Sequence, residues 1–274
     1  MDVIILDAET YPTRSPAVLA EVAHKALASR PAQNTSKAVK ERWDTPEGER
    51  ARVLDAVAKT GLDVVRAEVL CVAVATMDSG PDVLDGTDPN GGERRLMGRL
   101  AEVLASAGPE TIWVGHNHAR FDLPLFLNRW RAHGITPPPH YPRWTGSRWI
   151  GRVYDTMTHV PSAKGFVAMS AACALVGLEG KSISWKGSPM GGARVAEAWD
   201  EGEHQLICDY CQQDVWDTRE LFRRLTFDGR YGCWQDGADT RATLTEIRES
   251  DLPPAVKCRA YEMTLQAAGL LLGA

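Results

Sequence analysis

Val3-Ile4-Ile5-Leu6-Asp7-Ala8-Glu9-Thr10 sets two carboxylates two residues apart at the close of an unbroken apolar run. A continuous apolar run of this length, bounded by turn residues, reads as a strand buried on both faces. Side chains alternate along a strand, so Asp7 and Glu9 point to the same side. Two anions held that close in a poorly solvated place repel each other, and both prefer to be protonated. A divalent cation between them removes the conflict. The strand end is also where open α/β sheets carry their sites, so the pair reads as half of a metal centre.

Working outward, Glu68–Thr76 is a second strong strand, with Asp82–Asp85 a weaker partner beyond the Ser79-Gly80-Pro81 turn. Apolar spacing at Leu96, Leu100, Val103 and Leu104 predicts a helix over 93–105, and 111–115 is a further buried strand, followed by a helix over 123–132. A late helix covers His204–Leu225, and 239–272 reads as two more helices. Between the first two strands, residues 15–60 form an amphipathic helical insertion. Ser15-Pro16 supplies its N-cap and first position, and Val18, Leu19, Val22 and Leu27 supply one face. Strands mixed with helices in this order predict one mixed α/β sheet.

The chain has 274 residues, 44% of them hydrophobic and 24% charged, as in ordinary globular proteins. No signal peptide and no apolar stretch long enough to span a bilayer is present, which predicts a cytoplasmic protein without a membrane partner. Six scattered cysteines (71, 173, 208, 211, 233 and 258) do not make a disulfide scaffold. The net charge is −5, yet residues 123–196 hold nine Lys or Arg against two acids, Asp155 and Glu179. That basic centre in an acidic chain is an electrostatic footprint for nucleic acid.

Two further motifs carry chemistry. In Gly115-His116-Asn117-His118-Ala119-Arg120-Phe121-Asp122-Leu123-Pro124 a strand runs into a loop and Asp122 sits at the start of a helix. Alone, such an acid is most often a partner for the helix N-terminus. On the late helix, Ile207, Tyr210, Thr218, Leu221 and Leu225 form the core-facing stripe, and Asp214 falls in its middle. A carboxylate there needs a cation or strong donors. The i, i+4 spacing brings the Tyr210 hydroxyl and the Asp214 carboxylate over one spot.

Asp7-x-Glu9 on the first strand, Asn117-x-x-x-Phe121-Asp122 after a later strand, and Tyr210-x-x-x-Asp214 on a late helix resemble, in that order, the DEDD 3′–5′ exonucleases. The Tyr-x-x-x-Asp form marks their tyrosine (DEDDy) subclass. Phe121-Asp122-Leu123-Pro124 and Tyr210-Cys211-x-x-Asp214-Val215-x-x-Thr218 are similar to the phage and bacterial group related to the proofreading domain of family-B DNA polymerases.

The resemblance implies a ribonuclease H-like α/β fold over residues 1–227, a mixed sheet flanked by helices, with 228–274 as a helical C-terminal extension. It implies hydrolysis of phosphodiester bonds at the 3′ end of single-stranded DNA, in a bacterial or phage-infected cell, by two Mg²⁺ or Mn²⁺ ions. An exoribonuclease and a non-cleaving nucleic-acid-binding subunit of the same fold are the alternatives. Asp7 would bridge the two ions, Glu9 and Asp214 would complete the one that activates water, Asp122 would serve the other, and Tyr210 would position the water. Hard oxygen ligands suit those ions. Thr10, Asn117 and Phe121 would meet the terminal nucleotide, and Asp155 would be a supporting acid.

The segment 137–152 interleaves proline, aromatics and the cations Arg143, Arg148 and Arg152, which suits single-stranded nucleic acid. A loop whose tryptophans pack on the body fits equally well. Lys164, Lys181 and Lys186 either extend the track or are plain surface lysines. Cys208-x-x-Cys211 inside a helix reads as buried reduced thiols, and His116 and His118 as loop histidines. No particular protein partner is indicated.

Overall fold

The computed structural model describes residues 3–33, 35–86, 92–146, 149–160, 162, 165–180, 182–226 and 257. Arg148, Lys164, Lys181 and the expected tail helices lie outside the described residues. In chain order the elements are β1 (Val3–Tyr11), α1 (Pro16–Ala28), α2 (Lys37–Arg42), α3 (Pro46–Ala58) and a 3₁₀ turn (Lys59–Leu62). There follow β2 (Glu68–Thr76), β3 (Asp82–Asp85), α4 (Gly92–Leu104), β4 (Ile112–Gly115) and α5 (Asp122–His133). The second half holds β5 (Arg143–Trp144), β6 (Trp149–Ile150), β7 (Arg152–Asp155), α6 (Thr156–His159) and α7 (Met169–Leu175). It ends with β8 (Ser184–Trp185), β9 (Ser188–Pro189), α8 (Gly192–Asp200) and α9 (His204–Leu225).

The five-stranded sheet has the order β3-β2-β1-β4-β7, antiparallel across β3, β2 and β1 and parallel across β1, β4 and β7. This is the expected ribonuclease H-like mixed sheet. β1 lies in its middle because it is apolar on both faces. Ile4, Leu6 and Ala8 join the layer built with α4 and α5, around Met97, Leu100, Phe126 and Trp130. Val3 and Ile5 join the layer built with α8 and α9, around Val195, Ile207, Val215 and Phe222. The alternation carries on past the core, so Asp7 and Glu9 continue the α9 side. In β1 the sheet register with β4 stops at Ile5–Val114, and a bulge at Glu9/Thr10 breaks the register with β2. Bulges re-aim a strand at its end, and here the irregularity follows the second acid.

The insertion is helical as expected, but thinly packed. Ser15 precedes α1 with Pro16 in the first turn, yet makes no side-chain cap bond, and Val22 is the one buried residue of the helix. Leu27, expected on the packed face, is 44% exposed, because α1 meets chiefly α3, itself without a buried residue.

One ionic node fastens the α4–α5 layer to the sheet. Glu93, in the first turn of α4, accepts the Val69 backbone N–H at 2.7 Å and the Arg129 Nε–H at 2.6 Å, pairs with a second Arg129 nitrogen, and lies 2.8 Å from His133 Nε2. Both carboxylate and guanidinium are largely buried. Breaking such a pair from one side leaves an uncompensated charge. Glu93→Ala is expected to lower the unfolding free energy by roughly 3–5 kcal/mol, read from urea denaturation, with Glu93→Gln losing less.

Candidate active site

Three elements deliver the acids. β1 supplies Asp7 and Glu9, and α9 crosses that face with Tyr210 and Asp214 on its buried stripe. Ligand oxygens of Asp7, Glu9 and Asp214 all lie within 4.8 Å of one another. Glu9 and Asp214 are buried and Asp7 is half-buried. The Tyr210 hydroxyl donates to the Asp214 carboxylate, one helical turn away. Burial first, then the charges of Asp214, Glu9 and Asp7, hold the Tyr210 phenol far above its ordinary range. It stays protonated.

Asp122 reaches the same region from the other layer. It opens α5, is buried, and its carboxylate receives the backbone N–H of Ala8, beyond the point where β4 stops pairing with β1. Its Oδ1 has no hydrogen-bond partner among the described residues. Burial, then the charge of Asp155, raises the Asp122 pKa well above the carboxylate range. Asp7 is raised likewise by burial, then by Cys211, Asp122, Asp214 and Glu9. Four carboxylates, with the Oδ1 of Asp122 unanswered, make an all-oxygen donor set short of positive charge. Among the described residues no Lys or Arg answers Asp7 or Asp122.

The loop 116–121 that carries Asp122 is shaped by three features. Gly115 ends β4 because a Cβ there would lie 2.4 Å from the Cβ of His118. Asn117 takes a left-handed φ of 63°, which asparagine tolerates better than most residues. Asp155, at the end of β7, accepts the backbone N–H of Asn117 at 2.9 Å, of Ala119 at 3.1 Å and of Met157 at 3.0 Å. The supporting acid of the sequence is thus the clamp of the whole loop. Nothing in a lone Val-Tyr-Asp-Thr string announces two backbone donors brought from 36 and 38 residues away. His118 is fully buried, and burial pushes its pKa down to about 3, so it is neutral. His116 Nδ1 lies 2.9 Å from the Thr156 hydroxyl.

The expected nucleic-acid contacts divide. Asn117 and Phe121 sit on the Asp122 loop, both half-buried. Thr10 follows the acids on β1, its hydroxyl donating to the Gly61 carbonyl at 2.6 Å. Arg143–Trp144 and Trp149–Ile150 pair as the antiparallel strands β5 and β6, where an open loop was expected. Trp149 packs on the body and donates its indole N–H to the Ala119 carbonyl at 2.8 Å. Trp144 is 48% exposed, its ring 5.2 Å from that of Trp149, and Arg143 is exposed beside it. The packed reading of this segment thus describes Trp149, while Trp144 stays exposed. Arg152 stands apart. It begins β7 opposite Ile112, at the strand end away from the acids, and is ion-paired to Glu110. Its position at the far end of the sheet gives it a structural partner where a phosphate contact was expected. Lys186 pairs with Glu197 and Glu201.

A family model described as a predicted 3′–5′ exonuclease related to the exonuclease domain of PolB matches residues 62–231. That stretch holds Asp122, Tyr210 and Asp214, while Asp7 and Glu9 come from the strand before it. Among solved structures, the family B DNA polymerase from the hyperthermophilic archaeon Pyrobaculum calidifontis is similar over 93% of this chain, with a TM-score of 0.51 and 15% identity. This chain spans 31% of that polymerase, and the likeness is one of fold. No curated protein matches. Among the described residues no helix is long and apolar enough to cross a membrane.

The raised acids have a pH signature. A carboxyl whose folded pKa lies above its unfolded value favours folding fully below the unfolded value, and that contribution is lost as pH rises through the folded one. In chelator, the protein is therefore expected to lose stability as pH climbs from the ordinary carboxylate range through the raised values of Asp7 and Asp122. Asp7→Asn should be more stable than the parent at neutral pH, by roughly 2–4 °C in thermal midpoint per kcal/mol of repulsion relieved. Scans across pH check this, and an Asp7→Asn midpoint below the parent's at pH 7 would contradict it.

Proposed function

The chain belongs to the family of predicted 3′–5′ exonucleases related to the exonuclease domain of PolB, and from that premise we propose that it removes nucleotides from the 3′ end of DNA with two divalent ions, Mg²⁺ or Mn²⁺. The observation that carries this reading is the convergence of Asp7, Glu9 and Asp214 within 4.8 Å, with Asp122 facing Asp7 from the opposite layer. A hard, all-oxygen donor set fits these ions. The unpartnered Oδ1 of Asp122 and the raised pKa values of Asp7 and Asp122 fit a site completed by cations.

Asp7, Glu9 and Asp214 would hold one ion, and Asp7 and Asp122 the other. Two such ions, when bound, lower the pKa of water and stabilise the attacking and leaving oxygens of an in-line phosphodiester displacement. The protein's own part is orientation. Tyr210 spends its one proton on Asp214, so its phenol oxygen is left as an acceptor, suited to hold a water by one of its hydrogens. With its proton held on Asp214, Tyr210 serves to aim the water at phosphorus. Asp155 keeps the 116–121 loop set, and with it Asp122, Asn117 and Phe121 beside the terminal nucleotide. Arg143 and Trp144 on the exposed edge of the β5–β6 hairpin suit a phosphate and a base of single-stranded substrate. The kinship to a DNA polymerase domain favours DNA over RNA.

End-labelled DNA and RNA of equal sequence, incubated with Mg²⁺, with Mn²⁺ and with EDTA, test the reading. Stepwise shortening of DNA from the 3′ end is expected only with the metals, and full activity in EDTA would end the proposal. Asp214→Ala should abolish turnover while the protein stays folded by circular dichroism.

Tyr210→Phe isolates one hydroxyl. Positioned proton-handling groups are worth roughly 10²–10⁴-fold, and the low end is expected here because the ions do most of the activation. Single-turnover rates at saturating enzyme should fall about 10²-fold with Mn²⁺ binding retained. A parental rate would take Tyr210 out of the mechanism.

A further inference from the structure

Immediately beneath the acids lies a second cluster of reactive groups that the hydrolysis does not use. Cys71, on β2, stands opposite Glu9 in the sheet register. Cys208 and Cys211 lie one turn apart on α9, and the Cys71 thiol is within hydrogen-bonding reach of both. Cys211 also approaches the first acid: its Sγ is 3.4 Å from the Asp7 carbonyl oxygen and 3.9 Å from Asp7 Oδ2. All three are reduced. Among the described residues the thiols do not form a group tight enough to hold one metal ion; only the carboxylates do.

The three sulfurs are not equivalent. Cys71 and Cys211 are closed to solvent, at 1% and 0% exposure, while Cys208 keeps 8%. Cys208 is therefore where a small oxidant arrives first. A hydrogen bond from Cys71 holds the Cys208 thiol below its ordinary range, which favours the nucleophilic thiolate. Among the described residues Cys71 is then the thiol within reach on another element, whereas a Cys208–Cys211 bond would have to form within one turn of α9.

We propose that hydrogen peroxide converts Cys71 and Cys208 into a reversible disulfide, and that this bond between β2 and α9 disarms the acid cluster. The Cys208 thiolate attacks one peroxide oxygen, breaking the O–O bond, and gives a sulfenic acid and hydroxide. The Cys71 sulfur then attacks the Cys208 sulfur, expelling a second hydroxide. With the two thiol protons the balance is two thiols and one peroxide to one disulfide and two waters, two electrons passing from sulfur to peroxide. Sulfurs at hydrogen-bonding distance must close to about 2.05 Å, so β2 and α9 move against each other at this level. Glu9 is paired with Cys71, and Asp7 touches Cys211 one turn from Cys208, so the shift falls on the metal ligands. The loss of activity rests on the nuclease reading; the disulfide itself does not.

The intact protein, treated with hydrogen peroxide and then alkylated in denaturant, gives the test. Peptide mapping should find a Cys71–Cys208 link and two fewer free thiols, both reversed by dithiothreitol. The thermal shift produced by Mn²⁺ should shrink after peroxide and return on reduction, and 3′ trimming should fall at least about tenfold in step. Cys208→Ser should keep both its Mn²⁺ shift and its trimming through the same treatment. Thiols that all remain alkylatable, a link mapped elsewhere, or a Cys208→Ser protein as sensitive as the parent would each overturn the proposal. A mapped link that leaves the Mn²⁺ shift unchanged would overturn its regulatory half. A protein that trims nothing even when reduced, yet gains the link and the altered Mn²⁺ shift after peroxide, would uphold the switch and count against the nuclease assignment alone.

Discussion

Carboxylate repulsion is the constraint around which this molecule is organised. Asp7, Glu9, Asp122 and Asp214 come from β1, α5 and α9 and meet in a place that burial makes hostile to charge. Left alone, such a group would spread apart or take up protons. It is held because every element that delivers an acid is anchored by a separate apolar contact. β1 is buried on both faces, α5 is pinned through Leu123, Phe126 and Trp130, and α9 through Ile207, Val215 and Phe222. The core thus maintains an arrangement that its own electrostatics oppose, as expected where function is served at the expense of stability.

How far the sequence reveals this depends on how local each signal is. The same-side placement of Asp7 and Glu9 follows from strand alternation alone, and the stripe of α9 places Tyr210 over Asp214 from helical geometry alone. The structure bears out both, and the span His204–Leu225 is the one the periodicity predicts. β2, β3 and β4 are equally legible because their apolar runs are bounded by turns. What stays hidden is long-range. Asp155 looks like a minor acid until the fold brings the backbone N–H groups of Asn117 and Ala119 to it. Cys71 looks like core filling until β2 aligns it with Glu9.

Composition misleads in two places for the same reason. Arg152 belongs to a basic segment, but β7 puts it at the far end of the sheet, where Glu110 takes it. Leu27 belongs to an apolar stripe, but α1 meets chiefly α3, which has no buried residue of its own, and Leu27 stays exposed. The β5–β6 and β8–β9 hairpins have strands of two residues each, too short for any periodicity to register.

The distance between β1 and α9 along the chain has a consequence for the life of the protein in a cell. Asp7 meets Cys211 across a separation of 204 residues, and Asp214 is farther still. Synthesis runs from the N-terminus, so β1 leaves the ribosome long before α9 exists. Until then the first two acids have no third, and a partly made chain has no assembled acid cluster. The order of the elements withholds the acid cluster until α9 has been made.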